Sequence, residues 1–456
     1  MPRRFNLLLL ITLLTIFLGT SLYYSAPLRN NIYKNKPIYP PTAPPGSPEE
    51  PLSHSHIDSD HPDPDTPLKN SGSLSVAVTE TGGSHDEVVA ALVHSFGSQP
   101  NVDLTLYQIL PRFGIQEIMD AFELPKKIPD LVHPMAFLSD KESEPVLPDF
   151  WVSSTCEIDI PYYREKLTML LENRKTYIFC IIHHSDRWDD DTDLAELVAP
   201  WVDAGRIEFL TLSPHTQDFL QKVTSTKWTR TKAQALVRYF VPVFPVTLPL
   251  EQVKIPEGEV PKFDPKTEEL GFALQGDYDS SRRNYEGMFQ RLAGFLETAT
   301  TEQGKNLTMH LIGHGDHPDV PEAVQDHVEF DEHLSYIEYY TLASRMFAML
   351  PAFASKEYLD RKASSSVPAS LIAGVPLVAS QGVIDAYAYL NAETVWLETD
   401  GVIDIDVVGQ ILELGTEARS RKKQRVRERR DEIIKGNAKR VGEWISEALG
   451  RLGRPA

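Results

Sequence analysis

Three short stretches of this chain hold residues able to manage an anion or a proton. Ser364-Ser365-Ser366 stands where a helix should begin, ahead of an apolar run from Val367 with Pro368 in its first turn. Proline there gives up an N–H that would have had no partner. Hydroxyls and free amides at a helix start make an anion site, because the peptide dipoles converge on it. The same serines would also serve as ordinary N-caps, and both readings stand at this point. His183 and His184 close the apolar run from Thr176, with Ser185 and Asp186 after them. At the carboxyl end of a parallel strand, such a pair faces the crevice where these sheets hold ligands, or is merely a polar strand end. Gly82-Gly83 follows the apolar segment Ser75-Val-Ala-Val-Thr and precedes an amphipathic helix to Phe96. Residues without a Cβ let backbone approach a ligand, although the pair falls short of a dinucleotide fingerprint.

Asp189-Asp-Asp-Thr-Asp193 could chelate a divalent cation. It stands before the helix expected from Leu194 to Ala204, where dipole and capping stabilise carboxylates, so the expectation is a helix-start cluster and no metal site.

The elements that must position these residues alternate strand, turn and helix, which is the pattern of doubly wound α/β sheets. Strands are expected at Ser75 to Thr79, Val102 to Tyr107, Asp149 to Ser154, Thr176 to His184 and Ile207 to Leu212. Helices are expected from Pro161 to Asn173, through Phe219, and from Ala233 to Phe240. Prolines between Phe244 and Phe263 mark a linker. A second alternation follows, with strands at Leu270 to Gly276, Leu307 to Gly313, Val328 to Phe330 and Thr394 to Leu397. Its helices are expected at Arg282 to Glu297, Tyr336 to Met349, Val383 to Leu390 and from Asp404, with Gly374 closing the Val367 helix in a left-handed cap. The basic run Arg419 to Arg430 reads as the solvated face of a long helix, with anionic lipid or a phosphorylated acceptor as a lesser alternative.

The run Ser365-x-x-x-Ala-Ser-Leu-Ile-Ala-Gly-Val-Pro-Leu-Val-Ala-Ser380 resembles the donor-binding helix of glycosyltransferases with the GT-B fold, of the family 1 and 4 kind found as fungal type II membrane proteins. The resemblance covers about Leu270 to Leu397 well, and the first half only by architecture. It implies two Rossmann-like doubly wound domains facing across a cleft. It also implies that Ser364, Ser365 and Ser366 hold the diphosphate of a nucleotide sugar, with Gly276 turning the chain and Arg282 or Arg283 neutralising the phosphates. His183 or His184 would face the donor sugar or act as base. Where retaining members carry two acidic residues eight positions apart, this chain has Arg361 and Ala369.

The 456 residues allow about two to three domains. The net charge of −20 excludes wrapping nucleic acid. Two cysteines, Cys156 and Cys180, form either one bridge or two buried thiols. Two arginines precede an apolar run from Phe5 to Tyr24 of bilayer-spanning length, and no good cleavage site follows. The expected organisation is a cytoplasmic tip and signal-anchor helix over 1–25, with a cleaved signal peptide as the alternative, and a disordered stem over 26–73. After these come a first Rossmann-like domain over 74–245, a linker over 246–264 and a nucleotide-sugar-binding domain over 265–456. Asn306-Leu-Thr is a glycosylation sequon. The sum is a single-pass type II protein of the Golgi or endoplasmic reticulum membrane with its catalytic part in the lumen. It would take a nucleotide-sugar donor, without cofactor or metal, and a glycan, protein or lipid acceptor. A non-catalytic scaffold of the same fold, and a metal-dependent transferase using Asp189 to Asp193, are the alternatives.

Overall fold

The computed structural model describes residues 73–127, 131–139, 147–189, 192–247 and 271–454. The expected anchor, the expected stem up to residue 72, and nearly all of the expected linker lie outside the described residues. Among those described, no helix is long and apolar enough to cross a membrane.

The N-terminal half runs β1 (Leu74–Glu80), α1 (Asp86–Gly97), β2 (Val102–Gln108), α2 (Ile115–Asp120), β3 (Phe150–Ser153), α3 (Cys156–Tyr162), α4 (Arg164–Asn173), β4 (Tyr177–Ile182), α5 (Asp193–Asp203), β5 (Ile207–Thr211), α6 (Pro214–Thr226) and β6 (Leu236–Tyr239). Its six strands lie in the order β2-β1-β3-β4-β5-β6, all parallel. A parallel bridge between Tyr107 and Val132 adds a one-residue strand outside β2. β4 shows why the sheet is central: its six residues are each no more than 1% exposed, as a strand covered on both faces must be. The segment expected as a helix over Ala233 to Phe240 is instead the edge strand β6. Its side chains alternate across the sheet, and Gln217 and Gln221 of α6 donate to its Val237 carbonyl. The helix expected over Pro161 to Asn173 breaks at Tyr163 into α3 and α4.

The C-terminal half runs β7 (Phe272–Gln275), α7 (Tyr285–Thr298), α8 (Glu302–Lys305), β8 (Met309–Gly313), β9 (Val328–Glu332), α9 (Tyr336–Ser344), β10 (Ala348–Met349), α10 (Glu357–Asp360), α11 (Ser366–Ala373), β11 (Leu377–Ala379), α12 (Gln381–Ala386), β12 (Val395–Leu397), α13 (Ile405–Glu413) and α14 (Thr416–Arg451). The strand order β12-β11-β10-β7-β8-β9 is again all parallel. The helix expected from Tyr336 to Met349 stops at Ser344, because Ala348 and Met349 are drawn into the sheet between β7 and β11. Gly374 closes α11 at φ 68°, as expected.

In each sheet the strand order reverses once, between β1 and β3 and between β7 and β10. In doubly wound sheets, the crevice beyond the strand ends at that reversal is where ligands sit. One core runs through both halves: α1, α9, α11 and α14 contribute Leu92, Tyr340, Leu371 and Trp444 to it. α14 crosses back to the N-terminal half, where Asn437 donates to the Val241 carbonyl at 2.7 Å and Ala438 accepts from Gln99 at 2.8 Å. Its basic run is not simply a solvated face. Lys423 is buried and donates to the carbonyls of Ser344 and Met346 just past α9, and Arg430 to that of Ile372 at the end of α11. Cations satisfy carbonyls at helix C-termini.

Candidate functional site

Beyond β1 the chain turns through Thr81 to His85 into α1. The buried Glu80 carboxylate accepts the amides of Gly82 at 3.0 Å and Gly83 at 2.8 Å, with Ser84 at 3.4 Å. The glycine pair is therefore explained by packing and not by ligand approach. A Cβ on Gly82 would stand 2.8 Å from Ile158 Cδ1, Gly83 needs φ +64°, and the amides of the turn are held by Glu80. Burial first, then Asp159, pushes Glu80 up to about 7. Asp159 is itself wholly buried and accepts from Thr79, Thr81 and Ser153.

His183 stands at the end of β4. Its Nε2 lies 2.8 Å from the Ser154 carbonyl. A carbonyl only accepts, so Nε2 carries the proton and, in the neutral ring, Nδ1 keeps its lone pair. The amides of His183 and His184 both donate to Glu157 Oε1, at 2.9 and 2.8 Å, so one carboxylate fixes the strand end. The ring of His85 stacks on His183 at 3.8 Å between centroids. Burial holds all three imidazoles below their usual value; on His85 the charges of His183, His184, Arg112 and Arg282 act the same way. These are neutral rings at neutral pH.

The opposite rim comes from the turns after β7 and β10, which meet in a bridge between Arg283 and Phe353. Gly276 adopts φ +128°, and a Cβ there would press on the Arg283 guanidinium at 3.2 Å. The two arginines separate sharply. Arg283 is 2% exposed and donates to the Gln275 carbonyl at 2.9 Å and to Ser366 Oγ at 2.8 Å, so it is part of the interior. Arg282 keeps a side chain 41% exposed, held by Asp277 at 3.1 Å and by the Tyr358 hydroxyl at 3.2 Å. Both precede α7, whose cap is Asn284, and do not lie on its face. The three serines also divide. Ser364 and Ser366 are buried: the Ser364 amide donates to the Tyr387 hydroxyl, the Ser366 amide to Ser364 Oγ, and Ser366 Oγ to Gln275. Ser365 is exposed at the start of α11.

The rims meet. His184 bridges Lys362 through backbone, the His215 ring nitrogens lie 2.9 and 3.0 Å from the carbonyls of Ala386 and Lys362, and the Tyr336 amide donates to Phe113 at 2.7 Å. Arg361 pairs with Glu357 and stands 3.9 Å from Asp186 of the other half. The cleft thus carries Arg282, Arg361 and Lys362, ion-paired with Asp277, Glu357 and Asp360, beside imidazoles that burial keeps neutral.

Of the expected site residues, His183, His184, Arg282 and Ser365 line the junction, while Arg283, Ser364 and Ser366 support it from inside. Sequence reasoning missed His85 and Glu80. The signal was there: a His directly ahead of a helix and an acid closing the first strand, both at the turn already marked by glycines. Asp193 lies in the first turn of α5 with Thr192 as its cap, and Asp189 pairs with Lys227 at 2.7 Å; 190 and 191 lie outside the described residues. His310, Glu329 and Asp331, across β8 and β9, are the group of described residues with ligand atoms close enough to share a metal ion. Cys156 and Cys180 are bridged, tying α3 to β4 behind the imidazoles. Asn306 is exposed in the turn before β8.

No family model matches this chain, and no curated protein does. Solved structures similar to it include the N-terminal domain of a Candida albicans trehalose-6-phosphate phosphatase, 12% identical over 84% of this chain and 98% of that one, at a TM-score of 0.46. Sucrose-phosphate synthase from Thermosynechococcus elongatus is 13% identical over 83% and 99%, at 0.45. An Escherichia coli trehalose-6-phosphate protein bound with UDP-2-fluoro glucose is 11% identical over 84% and 99%, at 0.45. At these values no substrate and no residue role passes from them to this chain.

Proposed function

We propose that the chain transfers a glycosyl group from a nucleotide-sugar donor to an acceptor hydroxyl. One observation carries the reading: a stacked imidazole pair at the strand ends of one Rossmann-like half stands where His184 bridges Lys362 of the other. The donor diphosphate would meet Arg282 and the Ser365 end of α11, where guanidinium and amide donors stabilise the charge that develops on departure. The acceptor oxygen attacks the anomeric carbon, the bond to the diphosphate breaks with its electron pair, and the acceptor proton passes to an imidazole. His85, stacked on the His183 ring whose Nε2 is held by the Ser154 carbonyl, is the proton acceptor in this scheme, and His183 positions it. No step calls on a protein-bound metal. The Cys156–Cys180 bridge and the exposed Asn306 sequon support a lumenal site, since bridges persist in oxidising compartments; Phe5 to Tyr24 would anchor it in a Golgi or endoplasmic reticulum membrane. A non-catalytic scaffold is the second reading, favoured by Arg361 where an acid would contact the sugar.

The test is a thermal-shift series of the full chain against nucleoside diphosphates, in manganese and in chelator. Stabilisation by one nucleotide in chelator is the expected result. No stabilisation by any of them removes the donor site, and stabilisation only in manganese removes the metal-free scheme.

A further inference from the structure

At the edge of the C-terminal sheet, one face departs from what a covered parallel sheet requires. β8 and β9 pair with His310 opposite Glu329 and Ile312 opposite Asp331. Met309 and Leu311, with Val328 and Phe330, turn to the core on one side. Strand side chains alternate, so His310, Glu329 and Asp331 share the other side, where apolar residues are the rule. His310 is 3% exposed, and its Nδ1 lies 2.8 Å from Asp331 Oδ2 and 3.7 Å from Glu329 Oε2. Among the described residues, no lysine or arginine pairs with Glu329, Asp331 or the adjoining Glu332. Their partners are His310 and, for Glu332, His317 at 3.1 Å. Burial first, then Glu332 and Asp331, pushes the Tyr278 hydroxyl up, so negative charge is felt around the group.

We infer that His310 Nδ1, Glu329 and Asp331 bind a zinc ion that ties the edge strand β9 to β8. The three ligand atoms all lie within 4.8 Å of one another. Ligands on a tetrahedral zinc stand about 3.4 Å apart, so small side-chain rotations close the set. Two carboxylates balance the charge of the ion, which supplies the countercharge that no lysine or arginine gives them. The ion takes the place of the proton between Nδ1 and Asp331, and that proton leaves to solvent. Three protein ligands leave the fourth position to water. Magnesium fits less well, since it demands octahedral oxygen ligands and gives up water reluctantly. His310 precedes by one turn of β-pleat the end of β8 at Gly313, which packs against the Gly276 carbonyl. The ion therefore serves the fold of this half and takes no part in the transfer, and the inference is independent of the transferase reading.

The full chain, stripped with chelator and dialysed, is titrated with zinc by calorimetry in the absence of nucleotide. His54, His56 and His61 are common to the parent and every variant, so the difference between them reports on the β8–β9 group. His310→Ala should weaken zinc binding by about a hundredfold and Glu329→Gln by about tenfold. His310→Ala removes a buried side chain and lowers stability by itself. Glu329→Gln alters a side chain 63% exposed, and without metal it should melt like the parent. Zinc should raise the melting temperature of the parent and not that of His310→Ala. Cobalt in place of zinc should give the intense visible bands of a four-coordinate ion in the parent and lose them in both variants. Weak six-coordinate bands in the parent mean an adventitious ion only and overturn the inference, as does equal zinc affinity in the parent and a folded Glu329→Gln. Nucleoside diphosphate affinity should be the same in Glu329→Gln as in the parent; a parallel loss would move the ion into the donor site and overturn its structural role. Zinc binding as expected with no nucleotide binding sinks the transferase reading alone.

Discussion

In the N-terminal half, the amides of Gly82, Gly83 and Ser84 turn back onto the Glu80 carboxylate; in the C-terminal half, those of Ser364 and Ser366 meet only hydroxyls. The two turns are alike, each leading from a parallel strand or loop into a helix at the cleft. Their electrostatics are opposite. The first is already occupied by a carboxyl group of its own, so its free face offers imidazoles. The second holds no anion in its turn and carries Arg282 beside it, so a phosphate there competes with the partly exposed Asp277 carboxylate for one guanidinium. The difference assigns proton transfer to one rim and phosphate charge to the other.

The largest effect should come from the imidazoles. His85→Ala should lower the transfer rate by about a hundredfold or more, the range of a lost general base, with nucleotide affinity kept; an unchanged rate removes the proton role. Next come losses of fold. Separate Arg283→Ala should cost roughly 1–3 kcal/mol, because the Gln275 carbonyl and Ser366 lose a buried donor. Denaturant melts of this variant against Arg282→Ala, which should melt like the parent, break the comparison if the order reverses. Cys156→Ser with Cys180→Ser should cost about 2–4 kcal/mol, read the same way. The smallest effect is a slope. Glu80 has its folded value raised to about 7 from 4.5, so its contribution favours the fold fully below the unfolded value and is lost as pH rises through about 7. His85 and His183, lowered, act oppositely and lose their contribution as pH falls below the usual range. Glu80→Gln should therefore flatten the fall in melting temperature between about pH 5 and about pH 8; a slope identical to the parent contradicts the buried-carboxylate account.

Much of this was legible in residues. The alternation of strand, glycine turn and helix carried the two sheets, and Gly374 and Pro368 carried the bounds of α11. Periodicity failed where length failed: Leu236–Tyr239 is too short for its alternation to outweigh helical propensity, and two-residue β10 leaves no pattern at all. At the candidate site, the resemblance pointed to Arg282 or Arg283 alike and could not separate them, because burial depends on the β10 turn 70 residues away, through Phe353. Nor could it show that Gly82 answers to Ile158 and Glu80. The basic run misled for the same reason, since its buried partners lie at the ends of α9 and α11.

Calorimetry of a nucleoside diphosphate that stabilises the full chain, repeated on Arg282→Ala and on His85→Ala, tests the division of labour between the rims most directly. A charge-assisted contact contributes roughly 1.5–3 kcal/mol, so Arg282→Ala should weaken binding about tenfold to a hundredfold. His85→Ala, on the rim that handles the proton, should leave affinity within about threefold. Unchanged affinity in a folded Arg282→Ala, or a loss confined to His85→Ala, contradicts the account.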